Sequence, residues 1–178
     1  MSVTCPLDCE YLQDARLHDK PAAAAPEKMP HEDIRVSEKF LRDHDELLLF
    51  LAGSLSAAAL ATSGAADYDV RDSLDALIRT YRTLDNGVYY ETVPDNLLAA
   101  GVFRMVQDDV ARFRREERQG LGIPSIRDGD ILRVLVFFSR LELDRNNGRR
   151  RGRAFIGLLR GLAPARAGSD APPRLVIP

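Results

Sequence analysis

Three groups of residues in this 178-residue chain have the types and spacing for chemistry. The first is Arg145, Arg149, Arg150, Arg151 and Arg153, five guanidinium groups within nine residues. Four of them fall at or near the start of a predicted last helix, where the macrodipole and free amide groups already present positive charge. Such a cluster must be met by carboxylates of the same chain or by an outside anion. Intramolecular pairing with the acidic front of the chain is the favoured reading; a phosphate, from a nucleotide or nucleic acid, is the alternative. Only Phe155 is interleaved as an aromatic, so base stacking is not signalled.

The second group is Cys5-x-x-x-Cys9, the only two cysteines. Thiolates one helical turn apart face the same way and could fill two positions of a tetrahedral zinc, with His18 or His31 as further ligands. His18, however, lies nine residues beyond Cys9, about 900° around a helix and so on its opposite face. Asp8, Glu10 and Asp14 would raise the thiol pKa, which disfavours a reactive nucleophile. A reduced, apolar pair that docks this segment on the rest of the protein is therefore preferred to a metal or redox site. The third group, Arg79, Tyr81, Arg82, Tyr89 and Tyr90, surrounds a predicted helix end and offers either an interface or a polar pocket, because Tyr and Arg recur at binding hot spots. The structural reading of this group is favoured. Tyr81 belongs to an apolar face, and Tyr89 and Tyr90 close the bundle end with wet hydroxyls.

Much chemistry is excluded. A Walker A loop needs a lysine, and none occurs after Lys39. Gly148, Gly152, Gly157 and Gly161 lie in an Arg-rich helical region with no preceding strand, so they make no dinucleotide fingerprint. Asp67-x-Asp69-x-Arg71 begins like a calcium loop and fails at its fifth, sixth and seventh positions. There is no Glu-x-x-His pair for a di-iron bundle. His18, His31 and His44 are the only histidines, too few to build a nucleophile, base and orienter with. No cofactor is implied.

The elements that position these groups read as helices. The uncharged run Leu47–Ala66 is 20 residues long, about enough to span a bilayer. Its strongly apolar members are few, and acidic residues flank both ends, so a buried central helix, part of one long helix over 36–62, is the better reading. Gly53, Ser54, Ala57, Ala58 and Ala61 would let neighbouring helices approach closely. Further helices are expected over 69–85, where Val70, Leu74, Leu77, Ile78, Tyr81 and Leu84 share a face, over 93–118 with Pro94 in the first turn, from a Ser125-x-x-Asp128 capping box to Asn146, and over 149–162. Val88–Val93 has strand-like residues but no second run to pair with, and reads as a connecting loop.

The fold expected is therefore all-α, an antiparallel bundle of four to five helices over 34–163. A separate N-terminal helical segment and Pro/Ala linker occupies 1–33, and a proline-rich tail 164–178. The net charge of -2 conceals an uneven distribution of -4 over 1–33, -4 over 34–118 and +6 over 119–178. The N-terminus lacks the basic and apolar regions of a cleaved signal, so the chain reads as cytoplasmic. Function is expected to be non-catalytic and to run through contacts with a protein partner. Binding of phosphate or nucleic acid by the arginines is the alternative, a metal or redox role for the cysteines a weaker one, and a membrane partner is not favoured.

Overall fold

The computed structural model describes residues 29–121, 126–149 and 151–163, and over these the protein is all-α, with six helices that pack against one another. The long helix expected over 36–62 is divided. Helix α1, Glu38–Asp43, begins at Ser37, whose hydroxyl accepts the Phe40 N–H, and ends at His44. The His44 backbone N–H donates to the Phe40 carbonyl and its ring stacks on Phe40 at 4.2 Å. His44 itself leaves helical geometry (φ -126°, ψ 33°) with its Nδ1 3.0 Å from the same carbonyl, and α2, Asp45–Ala61, starts at the next residue. Apolar spacing runs on through this point, so the break has no hydrophobic signature.

The run without charge is the central helix. Helix α2 buries Leu47, Leu51, Ala52, Ser54, Leu55, Ser56, Ala58 and Ala59, residues that cover most of its circumference, because α4, α5 and α6 surround it. Small residues set the spacing: a Cβ built on Gly53 would lie 3.6 Å from Ala163 beyond the end of α6, and one on Gly101 of α4 3.6 Å from Thr62. No helix among the described residues is long and apolar enough to cross a membrane.

Helix α3, Asp67–Asp85, turns Val70, Leu74, Leu77, Ile78 and Tyr81 inward. It stops at Asn86-Gly87, where Gly87 takes φ +77°. The Gly87 N–H bonds the Leu84 carbonyl and the Val88 N–H that of Thr83, the paired bonds of a Schellman ending. Helix α4, Leu97–Leu121, begins after Asn96, whose side chain accepts the Leu98 N–H; Pro94 stays outside it. Helix α5, Asp128–Arg145, starts where Asp130 accepts the Arg127 N–H, and Ser125 of the expected capping box lies outside the described residues. It runs antiparallel to α3, since Arg71 meets Glu142 at one end and Asp85 approaches Gly129 at the other. Helix α6, Ala154–Leu162, buries Phe155, Ile156 and Leu159 against α2.

Packed structure begins before the boundary at 34 read from the sequence. The Arg140 guanidinium on α5 donates to the carbonyls of Pro30, His31 and Ile34 at 3.2, 2.7 and 2.8 Å. This strap lies over α3 and α5, and His31 takes φ +55°, a left-handed conformation that the convergent bonds sustain.

Candidate functional site

The five residues of the Tyr/Arg group do not form one pocket. Tyr81 is buried on the apolar face of α3, as its spacing predicts; burial pushes its pKa up to about 12, and the Arg114 guanidinium stands 5.9 Å from its ring centroid. Arg82 turns to the strap, where it pairs with Asp33 at 3.2 Å and approaches His31 Nδ1 at 3.3 Å. Arg79 is exposed. Tyr89 and Tyr90 do not close the bundle end as expected but stand 74% and 65% exposed. The reason is the Schellman ending, which sends the chain away from the core at Val88 and leaves 88–94 without helix or strand.

This segment is nevertheless pinned. The Thr92 N–H donates to Thr80 Oγ1 at 3.0 Å, and Thr83 Oγ1, 2.8 Å from the Thr80 carbonyl, lies 3.1 Å from the Tyr90 carbonyl. The Tyr89 hydroxyl donates to Glu91 at 3.1 Å, a bond that raises the phenol pKa. Val88 (58% exposed), Val93 (42%) and Leu97 (86%) continue the apolar surface past the tyrosines. The backbone N–H groups of Tyr89, Tyr90, Glu91 and Val93 have no acceptor among the described residues. A short length of chain is thus held in place with large apolar side chains and free donors turned outward, an arrangement that can take a partner by side-chain burial and main-chain bonding together.

The arginine cluster sits on the connection from α5 to α6. Arg145 pairs with its neighbour Asp144 at 3.1 Å. Asn146 and Asn147 fold the chain back, accepting the N–H groups of Gly148 (2.8 Å) and Arg149 (3.1 Å). Arg149, Arg151 and Arg153 are exposed, and among the described residues no carboxylate lies within 4.0 Å of any of them. Arg150 lies outside the described residues, as does most of the acidic front. The helix start expected to attract an anion already has one. Asp67, fully buried at the head of α3, accepts the Phe155 N–H at 3.2 Å and the Ile156 N–H at 3.1 Å, while its own N–H donates to the Gly152 carbonyl at 2.8 Å.

Sequence reasoning missed the polar network around this joint. Glu142 on α5, 1% exposed, receives Arg71 Nε at 2.7 Å and Asn146 Nδ2 at 2.6 Å; burial nonetheless holds its pKa above the usual carboxylate range. Asp69 accepts the Ala66 N–H and the Asn96 side chain, at 2.7 and 2.6 Å. Only the Asp69 bond to Ala66 and the Asn146 bond to Glu142, three and four residues apart, are local enough to have been read from spacing. Cys5 and Cys9 lie outside the described residues, and within those residues no three His, Cys, Asp or Glu side chains are grouped to hold a metal. Compared with protein-family models, curated proteins and solved structures, the chain matches none.

Proposed function

We propose that this is a small non-catalytic helical protein of the cytoplasm that works by docking a protein partner on the segment from Val88 to Leu97. The observation that carries this reading is the exposure of Val88, Tyr89, Tyr90, Val93 and Leu97 on a piece of chain tied to α3 by Thr80 and Thr83. Large apolar side chains left in water forgo burial worth about 1.5–3 kcal/mol each, and a partner can recover it. Because the segment is already ordered, it avoids much of the entropy that a flexible loop loses on binding. Its tyrosines are the residue type most often found at the energetic centre of an interface. The non-catalytic part rests on the sequence, whose three histidines and lack of a metal or nucleotide motif supply no catalytic set.

The test is a paired substitution. Tyr89→Ser with Tyr90→Ser removes two exposed rings that no core residue needs, so thermal melting should stay within about 2 °C of the parent. Affinity purification from the native cell at matched expression should recover a stoichiometric partner with the parent and lose it with the variant. A partner retained by the folded variant would place the interface elsewhere.

A further inference from the structure

We infer that the cleft between the Gly64–Ala66 turn and the arginines Arg151 and Arg153 is a binding site for the phosphate group of a small molecule. This goes beyond the docking surface, which lies on the segment leaving the opposite end of α3. The cleft has a volume of about 430 Å³ and is lined by Gly64, Ala65, Ala66, Arg151 and Arg153. It is a half-open cleft rather than an enclosed cavity, with room for a phosphate group and part of what it is attached to.

Both walls are fixed. On one side, Arg151 and Arg153 flank Gly152, whose N–H donates to the Arg149 carbonyl and whose own carbonyl accepts the Asp67 N–H, each at 2.8 Å. A Cβ at Gly152 would collide with Asn147 Oδ1 and lie 3.0 Å from the Arg149 carbonyl, so a side chain there would require Asn147 to move. Two guanidinium groups are thus carried on a braced backbone, which lowers the ordering cost of a two-point grip on a phosphate. On the other side, the chain leaves α2 through Gly64 at φ +85°, with open space where a side chain would stand. Gly64 lines the cleft, and its N–H has no acceptor among the described residues, so it is available to the same anion. Ala65 and Ala66, both buried, supply only a small apolar edge to the cleft.

Position within the joint separates this site from a helix-end anion site. Asp67 has taken the Phe155 and Ile156 amide groups, so an incoming anion finds its donors on the guanidinium groups and the α2–α3 turn instead. The ligand class is an inorganic phosphate or pyrophosphate, or the phosphate of a nucleotide; these share the group recognised and differ in what fills the apolar part.

Isothermal titration of the full chain at constant ionic strength, with inorganic phosphate, pyrophosphate and a nucleoside monophosphate as separate probes, tests the site. At least one probe should bind saturably at one site per chain with Kd below about 1 mM. Arg151→Gln with Arg153→Gln should weaken it by about tenfold or more at unchanged melting temperature, and Arg149→Gln, outside the cleft, should leave it within about twofold. Should the double variant fail to fold, Arg151→Lys serves: it keeps the charge, loses the planar fork, and should weaken binding by about three- to tenfold. Preference for pyrophosphate would mark the free ion as ligand, and preference for the monophosphate a nucleotide. No saturable heat with any probe, equal binding by the arginine variants, or binding of RNA without binding of any of the three would overturn the assignment.

Discussion

Asp67 accepts the amide N–H groups of Phe155 and Ile156 across 88 and 89 residues of chain, so the cap of α6 belongs to α3. A helix of nine residues is short for autonomous stability, and its first turn here is satisfied only by that one side chain. Asp67→Ala would leave two buried donors unpaired and should lower unfolding free energy by about 2–4 kcal/mol in urea titration, with α6 exchanging its amide hydrogens first. Asp67→Asn keeps one acceptor oxygen and should cost about half as much. A change below about 0.5 kcal/mol for the alanine variant would show that the cap is not needed. Glu142 and Arg71 form the neighbouring pair in the same joint. Because burial raises the Glu142 pKa, its contribution to stability is present below the unfolded value and is lost as pH rises through the folded one.

At the scale of elements, the helices were largely legible and their joints were not. The spacing of Val70, Leu74, Leu77, Ile78 and Tyr81 declared α3, and the uncharged run around Leu51 and Leu55 declared a central helix, because both signals come from one face meeting the core. The break at His44 was hidden, since it is marked by a ring stack and a side-chain contact to the Phe40 carbonyl and does not disturb the apolar pattern. The exposure of Tyr89 and Tyr90 was equally hidden: tyrosine suits a bundle end or a binding surface, and the direction of the chain past Gly87 decides which. The strap at Pro30–Ile34 depends on Arg140, more than 100 residues away, beyond any spacing rule.

That strap should respond to pH. His31 faces Arg82, Asp75 and its neighbour Asp33, with Arg140 behind its carbonyl; burial first, and then the Arg82 charge, push its pKa below 6.5. A lowered folded pKa contributes stability that is fully present above the unfolded value and is lost as pH falls through the folded one. Asp75 is shifted upward by burial, and its contribution is lost as pH rises through its raised value. As pH falls below 6.5, the melting temperature of the parent should drop relative to that of His31→Asn, in which Asp75 and Glu142 still titrate but the imidazole is gone; asparagine also tolerates the left-handed backbone. Equal slopes for the two proteins would show that His31 does not set the pH response.

Among the described residues, α2 is surrounded by three helices, the 29–34 strap closes over α3 and α5, and two kinds of surface stand exposed. One is apolar and follows α3; the other is cationic and precedes α6. Removal of residues 1–28 leaves the Arg140 bonds to Pro30, His31 and Ile34 intact, so the shortened chain should melt in a single cooperative transition close to the parent's. Removal of 1–34 cuts those acceptors away and should lower the transition by several degrees, about 1–3 kcal/mol. Identical melting of the two truncations would show that the strap adds nothing to the folded unit.

Photocrosslinking in the native cell addresses the docking surface at single positions. A benzophenone side chain placed at Tyr89 or Tyr90 should trap one discrete adduct, whereas the same group at the exposed positions Arg104 and Glu116 on α4 should trap none of it. An adduct of equal yield at all four positions, or adducts at Arg104 and Glu116 alone, would contradict a partner seated on Val88–Leu97.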